Sequence, residues 1–269
     1  MQEPVVFSTP DRMTAALLLT SIGGFADAIG WITLVEIFTA NMSGNSIHVG
    51  MAIGNLDLFT VKRFVCSICV YVLAVILTRI ALEIGGRARL QRIASLTLTL
   101  EAALLLMFIY VAPPLDHGHV ADQSSPLYLG MISMLAFAMG VQTGTLTHLG
   151  PLTVYTTFVT GTLTKFSESF ARTIFWTYDT LKSGRPLSYA VGGLRHQTDA
   201  LSSAFLLGTW ICYVIGAALG TATKAAWELR ALYLPVAALV CLVLLDLVRP
   251  ISGREMREQS TTPARQAES

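Results

Sequence analysis

Charge is scarce in this sequence. Asp, Glu, Lys and Arg make up 13% of its 269 residues, against about a quarter in soluble domains. The formal net charge is +1, so the basic excess that marks a nucleic-acid or acidic-polymer partner is missing. Cysteine is sparse as well. Cys66, Cys69, Cys212 and Cys241 all fall inside apolar runs, where a thiol acts as a small hydrophobe. Cys66 and Cys69 have CxxC spacing, but no second pair or nearby His completes a metal site. Packing is the expectation, with no cofactor. The N-terminus, MQEPVVFSTPDR, lacks the basic stretch of a secretory signal, so the first apolar run is expected to stay as a span.

Signatures of intramembrane enzymes are absent too. There is no HExxH, and no GxGD follows Tyr178-Asp179. Ser43 of NMSGN finds no His within a span, unless His148 at the end of the fourth is counted. A non-enzyme is expected.

What the chain has instead is apolar length. Hydrophobic residues reach 53% and the mean hydropathy is +0.60. Backbone groups in hydrocarbon must be satisfied by helices or closed barrels, and these runs are continuous rather than alternating, so helices are expected. Five runs have the roughly 20 apolar residues that a crossing needs. They are Met13–Leu34, Phe64–Leu82, Ile93–Val111, Ser203–Ala222 and Ala231–Val248, and a sixth, Leu127–Thr147, turns polar towards its end.

Lys and Arg set the orientation, because cytoplasmic loops hold them in excess. Arg87, Arg89 and Arg92 follow the second span, while PPLDHGHVADQSSP after the third has neither. Lys165, Arg172, Lys182, Arg185 and Arg195 follow the fourth, and Arg249, Arg254, Arg257 and Arg265 lie in the tail. The other side receives Lys62, Arg63, Lys224 and Arg230. Six spans with both termini in the cytoplasm satisfy the rule. Residues 1–12 then form a cytoplasmic N-terminus, 13–248 one transmembrane domain, and 249–269 a polar, disordered cytoplasmic tail. The lipid bilayer is the expected surrounding, and a homo-oligomer is left open.

The two halves echo each other. IFTANMSGNSIHVG at 37–50 matches VYTTFVTGTLTKFS at 154–167, pairing Thr39 with Thr156, Ser43 with Thr160, Gly44 with Gly161 and Asn45 with Thr162. Each follows a Gly-interrupted span, SIGGFADAIG or AFAMGVQTG. The expected fold is an all-α integral membrane protein of about six transmembrane helices. They form two inverted three-helix repeats, 13–111 and 127–248, each with a broken or re-entrant polar segment. Inverted repeats with interrupted helices are characteristic of transporters.

The segments GGFADAIGWITL, FTANMSGN, AMGVQTG and TTFVTGTL also resemble the YoaK family of bacterial membrane proteins, a domain of unknown function. The resemblance runs from about Ala15 to Val248. It implies a bacterial cytoplasmic (inner) membrane protein of about six spans, and supplies no substrate.

Two acids lie at bilayer depth, Asp27 about 21 Å along the first span and Glu101 about 12 Å along the third. An ionised carboxylate there costs about 2.5–3.5 kcal/mol on insertion scales. Either acid could bind a cation or substrate amine or relay a proton; alternatively Asp27 caps the interrupted helix and Glu101 pairs with Arg79 of the second span. Gln142, Thr143, Thr145 and Thr147 offer uncharged polar groups, with helix packing as the competing role. Thr39, Asn41, Ser43, Gly44, Asn45 and His48, with Thr156, Thr157, Thr160, Gly161 and Thr162, are expected to end or start half-helices, unless both motifs are extramembrane turns. His117, His119, Asp116 and Asp122 could hold a metal weakly but read as a solvated loop. Leu163–Leu181 reads as an interfacial helix on the cytoplasmic face. A membrane transporter or permease for a small solute or ion fits best; a non-transporting scaffold, sensor or assembly factor is the alternative.

Overall fold

The structure is a computed structural model and describes residues 10–88, 93–112, 123, 125–145, 148–149, 152–153 and 159–248. Thr147, Thr156, Thr157, the acidic and histidine residues of 116–122 and the tail 249–269 lie outside them.

Nine helices fill the described residues: α1 Pro10–Thr33, α2 Met42–Gly54, α3 Leu58–Arg87, α4 Ile93–Val111, α5 Pro126–Thr145, α6 Val159–Lys182, α7 Leu187–Leu194, α8 Thr198–Trp227 and α9 Tyr233–Val248. The one sheet is a two-residue antiparallel pair, His148–Leu149 with Leu152–Thr153. Five stretches are long and apolar enough to cross a membrane: 12–33, 58–87, 93–111, 126–145 and 198–248. The last comprises α8 and α9, joined through a 3-10 turn at Glu228–Leu232. The six apolar runs of the sequence reading overlap α1, α3, α4, α5, α8 and α9, the end of Leu127–Thr147 lying outside the described residues, and α3 and α8 extend past their runs by a turn or more at each end.

Local chemistry sets the helix starts. Asn41 caps α2 by accepting from Gly44 N, and Asp57 caps α3 by accepting from Thr60 N. The Thr60 hydroxyl and amide hold the exposed Asp57 carboxyl below the usual carboxylate range. Gln197 caps α8 by accepting from Ala200 N at 2.6 Å.

Packing is organised by pairs. α1 lies along α8, α3 along α5, α4 against both α5 and α9, α2 against α3, and α6 against α8. The first two pairs run parallel and meet through glycine. A Cβ on Gly24 would sit 2.1 Å from Tyr213 O, and one on Gly216 2.0 Å from Ser21 O. On the other pair, a Cβ on Gly140 would meet Tyr71 O at 2.6 Å, and one on Gly144 the Thr78 side chain at 2.7 Å. Between helices in lipid, where apolar burial gives little net drive, such backbone approach is a main source of cohesion.

The α1 C-terminus, where α3 and α5 begin, is tied by one buried cation. Arg63 donates to Val35 O at 3.0 Å, Tyr128 OH at 2.9 Å and Gln123 Oε1 at 2.6 Å, and lies over the Tyr128 ring. Tyr128 in turn donates to Leu34 O at 2.7 Å. The guanidinium therefore meets the negative end of the α1 dipole. Sequence reading placed Arg63 among external loop charges; it is a helix residue, 5% exposed. The turn it holds is strained, since Val35 and Glu36 adopt φ of 49° and 65°, a region costly for side chains with a Cβ and most of all for a β-branched one.

Gly216→Ala is expected to lower stability by about 1–3 kcal/mol. Gly50→Ala, where nothing lies within 4 Å, should raise it by about 0.5–1 kcal/mol. Thermal unfolding in detergent measures both.

Candidate functional site

The break between α1 and α2 leaves backbone amides at 38–41 without helical partners. Asp27, six residues before the α1 terminus and 2% exposed, accepts most of them. Its Oδ1 takes Ala40 N at 2.6 Å, Thr39 N at 2.7 Å, the Thr39 hydroxyl at 3.2 Å and, more weakly, Asn41 N at 3.4 Å. Its Oδ2 accepts from Tyr213 OH of α8 at 2.5 Å. All five contacts are donors, the set an ionised carboxylate accepts. Asp27 thus latches the interrupted segment to α1 and α8, which is the capping alternative raised by its sequence position.

Asn45 repeats this logic on the far side of the turn. It is fully buried; its Oδ1 accepts from Phe38 N at 3.0 Å, and its Nδ2 donates to Phe38 O at 2.7 Å and to Ser67 Oγ of α3 at 3.2 Å. The amide side chain pairs with Phe38 as a neighbouring strand would. Ser43 donates to Asn41 Oδ1 at 2.7 Å. Gly44 packs under Phe38, where a Cβ would lie 2.7 Å from the ring. His48 stacks on Phe64 at 4.7 Å, with Trp31 next to it at 5.8 Å. The TANMSGN residues, Thr39 to Asn45, therefore fold onto one another and onto Asp27 and Ser67.

In the second half, Thr160, Gly161 and Thr162 occupy the first turn of α6, with Thr162 buried. Thr143 accepts from Tyr71 OH of α3 at 2.9 Å and donates to Met139 O at 2.9 Å. Gln142 Nε2, fully buried, donates to Leu19 O of α1 at 2.8 Å, and Thr145 donates to Val141 O at 2.7 Å.

Glu101 stands apart from this network. It is 0% exposed on α4, and neither carboxyl oxygen has a hydrogen-bond partner among the described residues. The expected alternative, pairing with Arg79, is not formed. Leaving a polar group in this state costs about 1–3 kcal/mol, more when charged.

Sequence reading missed Tyr213, Tyr71 and Asp246. Asp246 lies in LVLLDLV of α9, fully buried, and its carboxylate accepts from Ser95 Oγ of α4. The same test that found Asp27 and Glu101, an acid inside an apolar run, finds it. The tyrosines had no such signal, since Tyr is ordinary in an apolar helix and its partner lies on another helix. Among the described residues, no group of three or more His, Cys, Asp or Glu is placed to hold a metal.

A family model described as a protein of unknown function, DUF1275, matches residues 15–245. The chain belongs to that family. It is also 27% identical over 165 residues, 61% of its length and 70% of the relative's, to the UPF0700 transmembrane protein YoaK of Bacillus subtilis (strain 168). No solved structure matches. With its apolar helices, the chain is a multi-pass, all-α membrane protein.

Asp27→Ala strands the amides of Thr39 and Ala40 and is expected to cost about 2–5 kcal/mol of stability. Tyr213→Phe, removing one donor, should cost about 1–2 kcal/mol. Glu101→Met should be neutral or stabilising by about 1–2 kcal/mol. Thermal unfolding in lipid nanodiscs ranks the three.

Proposed function

We propose that this protein is a transporter or permease for a small solute or ion, not an enzyme, built of two inverted repeats with its site between them. The observation that carries the reading is that exchanging the halves reproduces most of the main helix pairings, the α4–α5 pairing, whose counterpart α1–α9 is slighter, being the exception. Replacing α1 by α5, α2 by α6, α3 by α8 and α4 by α9 turns the α1–α8 pair into α5–α3, and α2–α3 into α6–α8; α4–α9 maps onto itself.

The match extends to residues. Gly24 abuts Tyr213 O, and Asp27 accepts from Tyr213 OH. Gly140 abuts Tyr71 O, and Thr143 accepts from Tyr71 OH. Gly24 and Gly140 are separated by 116 residues, as are Asp27 and Thr143, and Tyr71 and Tyr213 by 142. Helix starts Met42 and Val159 are 117 apart. The separation thus grows by 25 residues between α6 and α8, an insertion that makes the distal part of α6 and α7.

Inversion is supported by direction. Arg63 and Tyr128, near the starts of α3 and α5, both bind the end of α1, while Gln142, near the end of α5, binds Leu19 of α1. α1 and α5 are therefore antiparallel. Six crossings follow if the stretch 198–248 crosses twice; its 51 residues would span about 76 Å as one helix, far beyond a bilayer of about 30 Å. α2, capped by Asn41, and α6 begin at corresponding positions, and α2 and the first 13 residues of α6 fit half-helices; α2 is about 20 Å long, too short to cross. The excess of Lys and Arg puts both termini in the cytoplasm of a bacterial inner membrane.

In a variant with all four cysteines replaced by serine, a cysteine at Arg230 is expected to react with an impermeant maleimide in intact cells. One at Ser183 should react only after lysis; the opposite pattern removes the topology. In proteoliposomes screened for solute-driven flux, Asp27→Asn and Gly44→Leu are expected to reduce flux at least about tenfold. Wild-type flux in both across every active substrate would refute the site, and absence of any flux in the wild type would favour the scaffold or sensor reading.

A further inference from the structure

Glu101 is the buried ionisable group that the latch network does not use. It sits on α4 between two contacts that fasten α4 antiparallel to α9. Ser95 binds Asp246 near one end, and Tyr110 and Tyr233 share a hydrogen bond of 3.1 Å at the other. α5 covers a further face of α4. The carboxyl is therefore enclosed at mid-helix, and among the described residues neither of its oxygens meets a donor.

The charged and titratable groups around it are few. α5 contributes no Asp, Glu, Lys, Arg or His, only Tyr128 at its start. α9 contributes Asp246, Tyr233 and Cys241, and α4 itself Tyr110. α3, which also touches α4, carries Lys62, Arg63, Cys66, Cys69, Tyr71, Arg79, Glu83 and Arg87; Arg87 pairs with Glu83. The turn before α9 carries Glu228 and Arg230. None of these reaches the Glu101 carboxyl.

A carboxylate cannot be kept in hydrocarbon without partners, whereas the neutral acid can. A metal ion is a poor occupant, because hard cations are held by several oxygen ligands; of the buried neighbours of Glu101 on α4, Leu98, Ala102 and Leu105 offer none, and the single hydroxyl nearby, that of Thr97, is turned to the backbone oxygens of Ile93 and Ala94. A proton needs no such shell. Building on the transport reading above, we propose that Glu101 is the proton-carrying group of this protein. It holds its proton in the closed arrangement seen here and releases it to water when the α4–α5–α9 contact opens. In this step the O–H bond of the acid breaks, a water takes the proton, and the carboxylate remains until a proton returns from the opposite side.

Two measurements on the full chain in membranes test this. The first is labelling with a hydrophobic carbodiimide: the O–H of a neutral carboxylic acid adds across its C=N bond, oxygen to carbon and proton to nitrogen, and the adduct is located by peptide mass spectrometry. Glu101 is expected to label, with a rate that falls as pH rises, and Glu101→Gln to abolish that adduct. The second is dye-reported internal acidification of proteoliposomes under an imposed pH gradient. Glu101→Gln should slow it about tenfold or more while Glu101→Asp retains part of the rate, with thermal unfolding confirming that both variants fold.

No labelling at any pH, or a rate independent of pH, overturns the proposal. So does Glu101→Gln with wild-type proton flux. pH-dependent labelling of a wild type that moves neither protons nor solutes would leave Glu101 as a proton-exchanging group and overturn the transport reading alone.

Discussion

The rest of the structure depends on one requirement, that every buried backbone amide exposed where a helix is interrupted finds an acceptor. The segment between α1 and α2 breaks the helix, and the Asp27 carboxylate gathers the amides of Thr39, Ala40 and Asn41 on one oxygen. Its second oxygen reaches Tyr213. One side chain thereby joins the break, the first helix and α8. Asn45 completes the satisfaction of the segment from the other side, and carries it to α3 through Ser67.

This arrangement explains why glycine is concentrated where it is. For Asp27 to meet Tyr213, α1 and α8 must approach at backbone distance, and Gly24, Gly216 and Gly220 remove the atoms that would hold them apart. The α3–α5 pair is built in the same way through Gly140 and Gly144, with Tyr71 and Thr143 in the places of Tyr213 and Asp27. The two interfaces differ at this position, an acid on α1 against the hydroxyl of Thr143 on α5.

Glu101 represents the opposite solution to the same constraint. Asp27 is retained at depth because it is fully hydrogen-bonded; Glu101 is retained with no partner at all. An unsatisfied group of this kind destabilises the fold, so its presence points to work done in another state of the molecule.

Composition and apolar run length determined the helical class and where the helices lie, because the hydrocarbon core imposes the same length on every crossing whatever the packing. The helix start at TANMSGN was also legible, since a helix start favours small and polar caps, and acids inside apolar runs marked Asp27 and Glu101. What those acids do was not legible. Whether a buried carboxylate is surrounded by donors or by methyl groups depends on neighbours such as Tyr213, 186 residues away in the chain, and on close contacts between glycine faces. Arg63 shows the same limit: counted as a loop charge, it is a buried cap, because only the assembled bundle brings the end of α1 against the start of α3. Distances between helices are set by side-chain shape across non-local contacts, and those only the tertiary structure decided.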